Sequence, residues 1–168
     1  MDDLTLPQLP EMTDIWQQTL GWQPDAQQQS LFQQLYELIL VGNKQLNLTR
    51  ITDPQEFWEK HLWDSLRGIK QFLAASKKLA VIDIGTGAGF PGIPTAMTVA
   101  NCTVDLLDST QKKITFLEKT SAELNLSNVK TIVGRAEEIG QLRTYRGKYD
   151  VALIRAVATA TVCAEYAL

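Results

Sequence analysis

The chain has 168 residues, of which 45% are hydrophobic, and a formal net charge of −3, values typical of a globular protein with a buried core. No apolar run approaches the roughly 18 residues of a membrane span, and the acidic N-terminus lacks the basic residues that open a secretory signal, so we expect a cytoplasmic protein with no membrane partner. Cys102 and Cys163 lie in apolar segments, so we expect two buried thiols, with neither a disulfide nor a metal site.

Charge is distributed unevenly along the chain. Residues 1–40 carry six acidic residues and no lysine or arginine, which leaves 13 acidic against 16 basic residues in 41–168. The larger part of the protein is therefore mildly basic, which permits a polyanionic partner without requiring one.

The N-terminal 76 residues are predicted to form two segments outside the main domain. Residues 1–24 hold three prolines and no sustained period, which predicts an acidic, loosely structured leader. Residues 25–76 are predicted to form a helical extension, because apolar residues such as Leu31 and Leu35 recur at helical spacing. We expect this first helix to end at Gly42 or Asn43.

A second helix of the extension is expected to start near Pro54. Thr52 or Asp53 can cap it, with the proline in its first turn. A further helical segment is expected from about Leu66 to Ala75. The second helix would carry four residues with large or aromatic side chains, of which we interpret Trp58 as core: Phe57, Trp58, His61 and Leu62.

From residue 77 onward, short β runs alternate with helical segments. The runs are LAVIDIG (79–85), CTVDLLD (102–108), VKTIVG (129–134) and YDVALIRAV (149–157), and the helices are expected near 92–100, 111–125 and 136–142. This alternation predicts an α/β fold with a parallel sheet and right-handed crossovers. Doubly wound sheets usually have about five to seven strands, so we expect residues 77–168 to be an incomplete Rossmann-like domain that lacks C-terminal strands.

The segment DIGTGAGFPGIP (83–94) follows the first strand and predicts a ligand-binding loop. Gly85, Gly87 and Gly89 allow sharp turns and a close approach of a ligand at the carboxyl end of the strand. GAGFPG matches the dinucleotide pattern G-x-G-x-x-G, which leaves an NAD-dependent oxidoreductase as a less favoured alternative. The acid at Asp83, two residues before G-x-G-x-G, favours a cationic ligand such as S-adenosylmethionine.

An acid also ends the second strand. Asp108 lies about 20 residues after the glycines, where a carboxylate can accept hydrogen bonds from ribose hydroxyls. Ser109 and Thr110 follow it and can contribute hydroxyl groups. The alternative is that Asp108 only caps the next helix, and both interpretations stay open at this point.

Six segments in this order resemble the glucose-inhibited division protein B family: NLTRI, HLWDSL, DIGTGAGFPGIP, LLDSTQKKITFL, GRAEEI and YDVALIRAVA. The resemblance covers about residues 30–168. It implies a Rossmann-like class I S-adenosylmethionine-dependent methyltransferase that modifies N7 of a guanine in 16S ribosomal RNA, with small-subunit ribosomal RNA as its partner. It also implies that these residues bind the methyl donor: Gly85, Phe90, Asp108, Ser109, Thr110, Ala136, Glu137 and Arg155.

The implied reaction needs little acid–base chemistry, because guanine N7 carries a lone pair and no proton. The fourth strand accordingly lacks the Asn/Asp-Pro-Pro-aromatic element of methyltransferases that act on exocyclic amines. Arg155 and Asn47 are the candidate positioning residues. Their alternatives are a surface ion pair of Arg155 with Glu137 or Glu138 and a loop role for Asn47.

His61, the only histidine, is expected to be a packed residue held by Asp64, with Asp64 and Ser65 in structural roles.

Five basic residues are expected around the mouth of the site as contacts for RNA phosphates: Lys44, Arg50, Lys112, Lys113 and Arg135. A small-molecule methyltransferase and a truncated, non-catalytic RNA-binding fragment remain as alternatives. If one edge of the sheet is unpaired, dimerisation through that edge is expected.

Overall fold

A computed structural model describes residues 6–155 and 160–168. The described N-terminal region is helical and precedes the sheet. Its elements are α1 (Thr13–Leu20), α2 (Ala26–Leu46), α3 (Pro54–Phe57), a π-helical turn (Trp58–Trp63), α4 (Asp64–Gly68) and a 3₁₀ turn (Lys70–Phe72). Within the described residues, we find no helix whose length and apolar character would let it cross a bilayer.

The remaining elements alternate between strand and helix. The strands are β1 (Leu79–Ile84), β2 (Cys102–Asp108), β3 (Val129–Val133) and β4 (Val151–Ile154), and the helices are α5 (Gly92–Thr98), α6 (Gln111–Glu123), α7 (Ala136–Ile139) and α8 (Ala160–Ala167). All strand pairs are parallel, in the order β3-β2-β1-β4. The predicted α/β fold is therefore confirmed, and the strand order reverses at β1, where such sheets bind ligands.

The described part of the sheet has β3 and β4 at its edges. The last three residues of YDVALIRAVA, the final segment of the family resemblance, lie outside the described residues, which end at Arg155 and resume at Ala160. Dimerisation through an unpaired edge stays a prediction.

Helix α2 is longer than the sequence analysis predicted. It continues through Gly42 to Leu46, and Asn47 caps it with a φ of 49°, in the left-handed region. A Cβ atom at Gly42 would meet the ring of Phe116 in α6, so this glycine lets the two helices pack closely and does not end α2. The prediction that α2 ends at Gly42 or Asn43 was therefore wrong.

The acidic leader contains a helix that belongs to the core. Trp16 in α1 is 0% exposed and packs edge-on against Trp58 and Trp22, with ring centroids 5.0 and 5.8 Å away. The prediction of a loosely structured leader is corrected for residues 13–20, because an indole buried in an aromatic cluster gives α1 a fixed position. The prediction that Trp58 is a core residue is confirmed.

The two cysteines differ in burial. Cys102, in the interior strand β2, is buried as predicted. Cys163 is only partly buried, because α8 packs against β4 at the edge of the described sheet. The prediction of two buried thiols is thus correct for one of them.

The loop between β1 and α5 is held from beneath by Asp83. Its carboxylate is fully buried, and one oxygen accepts hydrogen bonds from the Thr86 hydroxyl at 2.7 Å and from the Gly92 amide at 2.8 Å. A Cβ at Gly92 would collide with Leu106 and Asp83, so only glycine lets α5 begin this close to the strand. Burial raises the pKa of Asp83 to about 7, against the effect of its two hydrogen bonds.

Replacement of Trp16 tests whether α1 is part of the folded core. Trp16→Ala is expected to lower the free energy of unfolding by about 3–5 kcal/mol, because it empties a fully buried indole site. Urea denaturation followed by circular dichroism measures this change. The control is Gln18→Ala, an exposed position in the same helix. A loss for Trp16→Ala no larger than that of the control would show that α1 is loosely attached.

The raised pKa of Asp83 predicts a pH dependence of stability. The folded protein holds a proton that the unfolded chain releases between the ordinary pKa of 3.8 and about 7. The stabilisation by this group is therefore present below pH 3.8 and is lost as the pH rises through about 7.

Asp83→Asn removes this titration. As the pH rises from 3.8 to about 7, the free energy of unfolding of the wild type should fall relative to that of the variant. Urea denaturation at a series of pH values measures it. Because burial and Arg155, and not Asp83, lower the pKa of His61, we expect the His61 contribution to cancel in this difference. A difference that does not change with pH would contradict the assignment.

Candidate functional site

A cavity of about 450 Å³ opens at the carboxyl ends of β1 and β2, beside the loop of residues 85–91, which we call the glycine loop. Twelve residues from the N-terminal region, the glycine loop, the segment after β2 and the end of β4 form its wall: Leu48, His61, Gly85, Thr86, Gly87, Ala88, Phe90, Asp108, Ser109, Thr110, Lys113 and Arg155. The structure thus joins residues that are up to about one hundred positions apart in the sequence.

Eight of the residues predicted from the sequence lie in this wall: Gly85, Gly87, Phe90, Asp108, Ser109, Thr110, Lys113 and Arg155. Nine others lie outside it: Asn47, Asp83, Gly89, Ala136, Glu137, Lys44, Arg50, Lys112 and Arg135. Asp83 supports the glycine loop from beneath, and a Cβ at Gly89 would meet Ile93 and Leu117 at 2.6 and 3.1 Å, so this glycine serves helix packing.

Glu137, a predicted donor-binding residue in α7, makes local contacts with its neighbours. Glu137 accepts a hydrogen bond from the Tyr166 hydroxyl at 2.9 Å, and its carboxylate lies 3.9 Å from the Arg135 guanidinium. Asn47 ends α2 in the left-handed conformation, which agrees with the alternative that it is a loop residue.

The glycine loop leaves space for a ligand against its backbone. Gly85 and Gly87 have φ angles of 68° and 60°, in the region that favours glycine. A Cβ at Gly87 would meet no protein atom within 4 Å, so the space beside it is open. The Thr86 amide donates to the Leu107 carbonyl of β2 at 2.9 Å, which fixes the loop over the strand ends.

Asp108 holds the loop and also faces the cavity. Its two carboxylate oxygens accept hydrogen bonds from the amides of Gly87 and Thr110, at 3.0 and 2.9 Å. The N-cap of α6 is Thr110 and no side chain caps this helix, so the alternative that Asp108 is the helix cap is wrong; its bond to the Thr110 amide holds the turn before α6. Each oxygen of an ionised carboxylate has a second lone pair, so Asp108 keeps acceptor capacity for hydroxyl groups of a ligand.

Arg155 follows β4 and is joined to the helical extension. Its Nη1 atom donates to the Lys60 carbonyl at 2.8 Å and lies 3.3 Å from the Asp64 carboxylate, and its guanidinium carbon lies 5.7 Å from the centre of the Phe90 ring. The alternative of an ion pair with Glu137 or Glu138 is therefore wrong. The helical extension therefore supplies these hydrogen-bonding partners.

His61 is part of the cavity wall, which the sequence analysis did not predict. Its ring stacks on Phe90 with centroids 4.5 Å apart, and its nitrogens contact Thr49 Oγ1 at 2.9 Å and Arg155 Nη2 at 3.1 Å. Asp64 contacts Arg155, so the prediction that Asp64 holds His61 was wrong. Burial, followed by the nearby guanidinium, lowers the pKa of His61 to about 4.

Leu48, Thr86 and Ala88 were also missed as wall residues. Leu48 and His61 each lie within a segment quoted for the family resemblance, NLTRI and HLWDSL, and this was the signal that could have placed them at the site. Thr86 and Ala88 lie between glycines that were predicted, so their position in the loop was the available signal.

The wall offers acceptors for the hydroxyl groups of a sugar, and the start of α5 offers one amide fewer for a pyrophosphate. Asp108 contributes negative charge and hydrogen-bond acceptors, and Pro91 has no amide N–H at the start of α5. In the described residues, His, Cys, Asp and Glu side chains form no group of three or more that could hold a metal ion.

Comparisons with known proteins agree with this geometry. A family model described as rRNA small subunit methyltransferase G, GidB, matches residues 28–168. Ribosomal RNA small subunit methyltransferase G of Nostoc punctiforme is 70% identical over 163 residues, which cover 95% of this chain and 67% of that protein. The protein of the same name from Trichodesmium erythraeum is 58% identical over 172 residues, 100% of this chain and 68% of that protein. The chain thus spans about two thirds of the length of these relatives.

The likeness to solved structures concerns the fold. A protein of Methanococcus maripaludis, described as an S-adenosyl-L-methionine-dependent methyltransferase, gives a TM-score of 0.53 at 18% identity, over 78% of this chain and 55% of that chain. Together with the parallel sheet, this supports the predicted Rossmann-like methyltransferase fold. Since the family model matches most of the chain and the relatives are 58–70% identical, the chain belongs to the glucose-inhibited division protein B family of rRNA small subunit methyltransferases G.

Proposed function

We propose that the chain binds S-adenosylmethionine in the cavity and directs its methyl group to N7 of a guanine in 16S ribosomal RNA, in the cytoplasm. The observation that carries this proposal is the open glycine loop beside the Asp108 carboxylate at the carboxyl ends of two adjacent parallel strands. Sheets of this type bind nucleotide-like ligands at that place.

Specific wall residues would hold the donor. Gly85 and Gly87 would admit its methionine part against the loop backbone, and Asp108 would accept hydrogen bonds from the ribose hydroxyls. Ser109 and Thr110 would lie beside the adenine. Asp83, Gly89, Ala136 and Glu137 are left out of this set because they lie outside the wall. The bound donor supplies an electrophilic methyl group on a sulfonium.

Catalysis in this site would depend on positioning. Guanine N7 has a free lone pair in the major groove and loses no proton when it is methylated, so no general base is needed. The wall is consistent with this requirement, because both ring nitrogens of His61 already have partners. Arg155 would orient the substrate, and it would act as a hydrogen-bond donor.

Contact with RNA would begin at the cavity. Lys113 lies in the wall and would meet a phosphate near the target base. The other basic residues of the sequence analysis would contact the RNA farther from the reacting base: Lys44, Arg50, Lys112 and Arg135.

A methyl-transfer assay tests the proposed function. The chain would be incubated with labelled S-adenosylmethionine and either free 16S ribosomal RNA or small ribosomal subunits that lack the modification. We expect label at N7 of a guanine, found by mapping of the modified nucleotide. Label on an exocyclic amine, or only on small molecules, would overturn the assignment. RNA binding without transfer would favour the non-catalytic fragment, and binding of NAD without S-adenosylmethionine would favour the oxidoreductase.

Replacement of Asp108 tests the donor site. Asp108→Ala is expected to weaken S-adenosylmethionine binding by about 1–3 kcal/mol, the size of lost hydrogen bonds to a charged group. Isothermal titration calorimetry measures this affinity.

The matched control is Asp150→Ala. Asp150 also accepts an amide hydrogen bond, from Ala80 at 2.9 Å, but lies at the amino end of β4. Its loss should leave donor affinity unchanged. Equal effects of the two variants would show that Asp108 acts only through the stability of the fold.

A further inference from the structure

Within the described residues, the hydrogen-bonding partners of the Arg155 guanidinium come from one turn of the helical extension. Lys60 offers its carbonyl, His61 its Nδ1 atom and Asp64 its carboxylate, at 2.8, 3.1 and 3.3 Å. This turn is π-helical at Trp58–Trp63, and the Asp64 amide donates to the Glu59 carbonyl, five residues earlier. Such widened turns are frequent at functional sites.

We propose that His61 is a positioning residue, which in its neutral form with the proton on Nε2 holds Arg155 at the cavity wall. This inference rests on the proposed function for its link to methyl transfer. Stacking on Phe90 needs only an aromatic ring, whereas this role needs a nitrogen that accepts a hydrogen bond from Arg155.

The hydrogen-bond inventory determines the tautomer. A guanidinium has only donors, so His61 Nδ1 must accept from Arg155 and carries no proton. In the neutral ring the proton is then on Nε2, which donates to Thr49 Oγ1 at 2.9 Å. That oxygen also accepts from the Ile51 amide at 3.0 Å, so the hydroxyl is held in place as an acceptor.

The imidazole is also held by its neighbours. It lies nearly parallel to Phe90, with an angle of 9° between the rings, and it meets Phe57 edge-on at 5.0 Å. The residue is 7% exposed. A ring packed on two sides keeps its acceptor nitrogen in a constant direction, which is what a positioning group requires.

Part of the Arg155 guanidinium makes no hydrogen bond with the described residues. Three of its five N–H donors go to the turn, two from Nη1 and one from Nη2. The other two, one on Nη2 and one on Nε, have no acceptor within residues 6–155 and 160–168. Two donors suffice for a bidentate contact with a phosphate, or for contacts with guanine O6.

Charge on His61 would disrupt this contact. A protonated Nδ1 cannot accept from the guanidinium, and two cations would face each other. The charged groups around the ring are Arg155 directly, Asp64 on the far side of that guanidinium, and Asp108 and Lys113 in the same cavity wall. Burial and Arg155 lower the pKa of His61 from 6.5 to about 4, so the ring is neutral at pH 7.

The first test is spectroscopic and requires no activity. Because His61 is the only histidine, long-range ¹H–¹⁵N spectra of the full chain report on it without overlap. We expect the Nε2–H tautomer at pH 7 and a titration midpoint well below 6.5, which moves upward in Arg155→Met. An Nδ1–H tautomer, or a midpoint that Arg155→Met leaves unchanged, would overturn the proposal.

The second test separates the acceptor from the packing. His61→Phe keeps an aromatic ring on Phe90 but has no acceptor, whereas His61→Asn loses the stack and keeps one. In the methyl-transfer assay, His61→Phe should lower kcat by about 10-fold or more, the effect of a lost hydrogen bond to a charged group. The loss in kcat should exceed any loss of donor affinity, and His61→Asn should regain part of the rate.

A double variant, His61→Phe with Arg155→Met, tests whether the two residues act together. If His61 acts through Arg155, His61→Phe should add little to the loss caused by Arg155→Met. Full additivity, or equal losses for His61→Phe and His61→Asn, would overturn the proposal. A wild-type chain that transfers no methyl group would refute the proposed function alone, because the tautomer and the titration midpoint are still measurable.

Discussion

The buried carboxylate of Asp83 is the interaction on which the rest of the site depends. It joins the end of β1 to the start of α5 through the Thr86 hydroxyl and the Gly92 amide. Because the carboxylate is below the loop, the backbone of Gly85 and Gly87 faces the cavity. The cost of burying this group is visible in its raised pKa.

A second constraint joins the two halves of the molecule. Arg155, at the end of the last described strand, takes its partners from Lys60, His61 and Asp64 in the helical extension. The extension therefore contributes to the wall of the cavity, and it packs against α5 and α6. The aromatic contacts of Phe57, His61 and Phe90 connect this wall to the glycine loop.

These two constraints fit the proposed site, which would act by positioning the donor and the target base. Asp83 sets the loop that would hold the donor, and the π-helical turn sets the guanidinium that would orient the acceptor. Neither task needs a group that gains or loses a proton during methyl transfer to N7. Rigid placement of donors and acceptors is what such a reaction requires from the protein.

The sequence by itself determined the alternation of strands and helices, the glycine loop and the acid that ends β2, because these features depend on local periodicity and spacing. Only the tertiary structure decided which way the side chains face. Asp83 supports the loop from beneath, Trp16 fills the core, and His61 takes Thr49 and Arg155 as partners in place of Asp64. Such contacts depend on packing between elements distant in sequence, which no local pattern records.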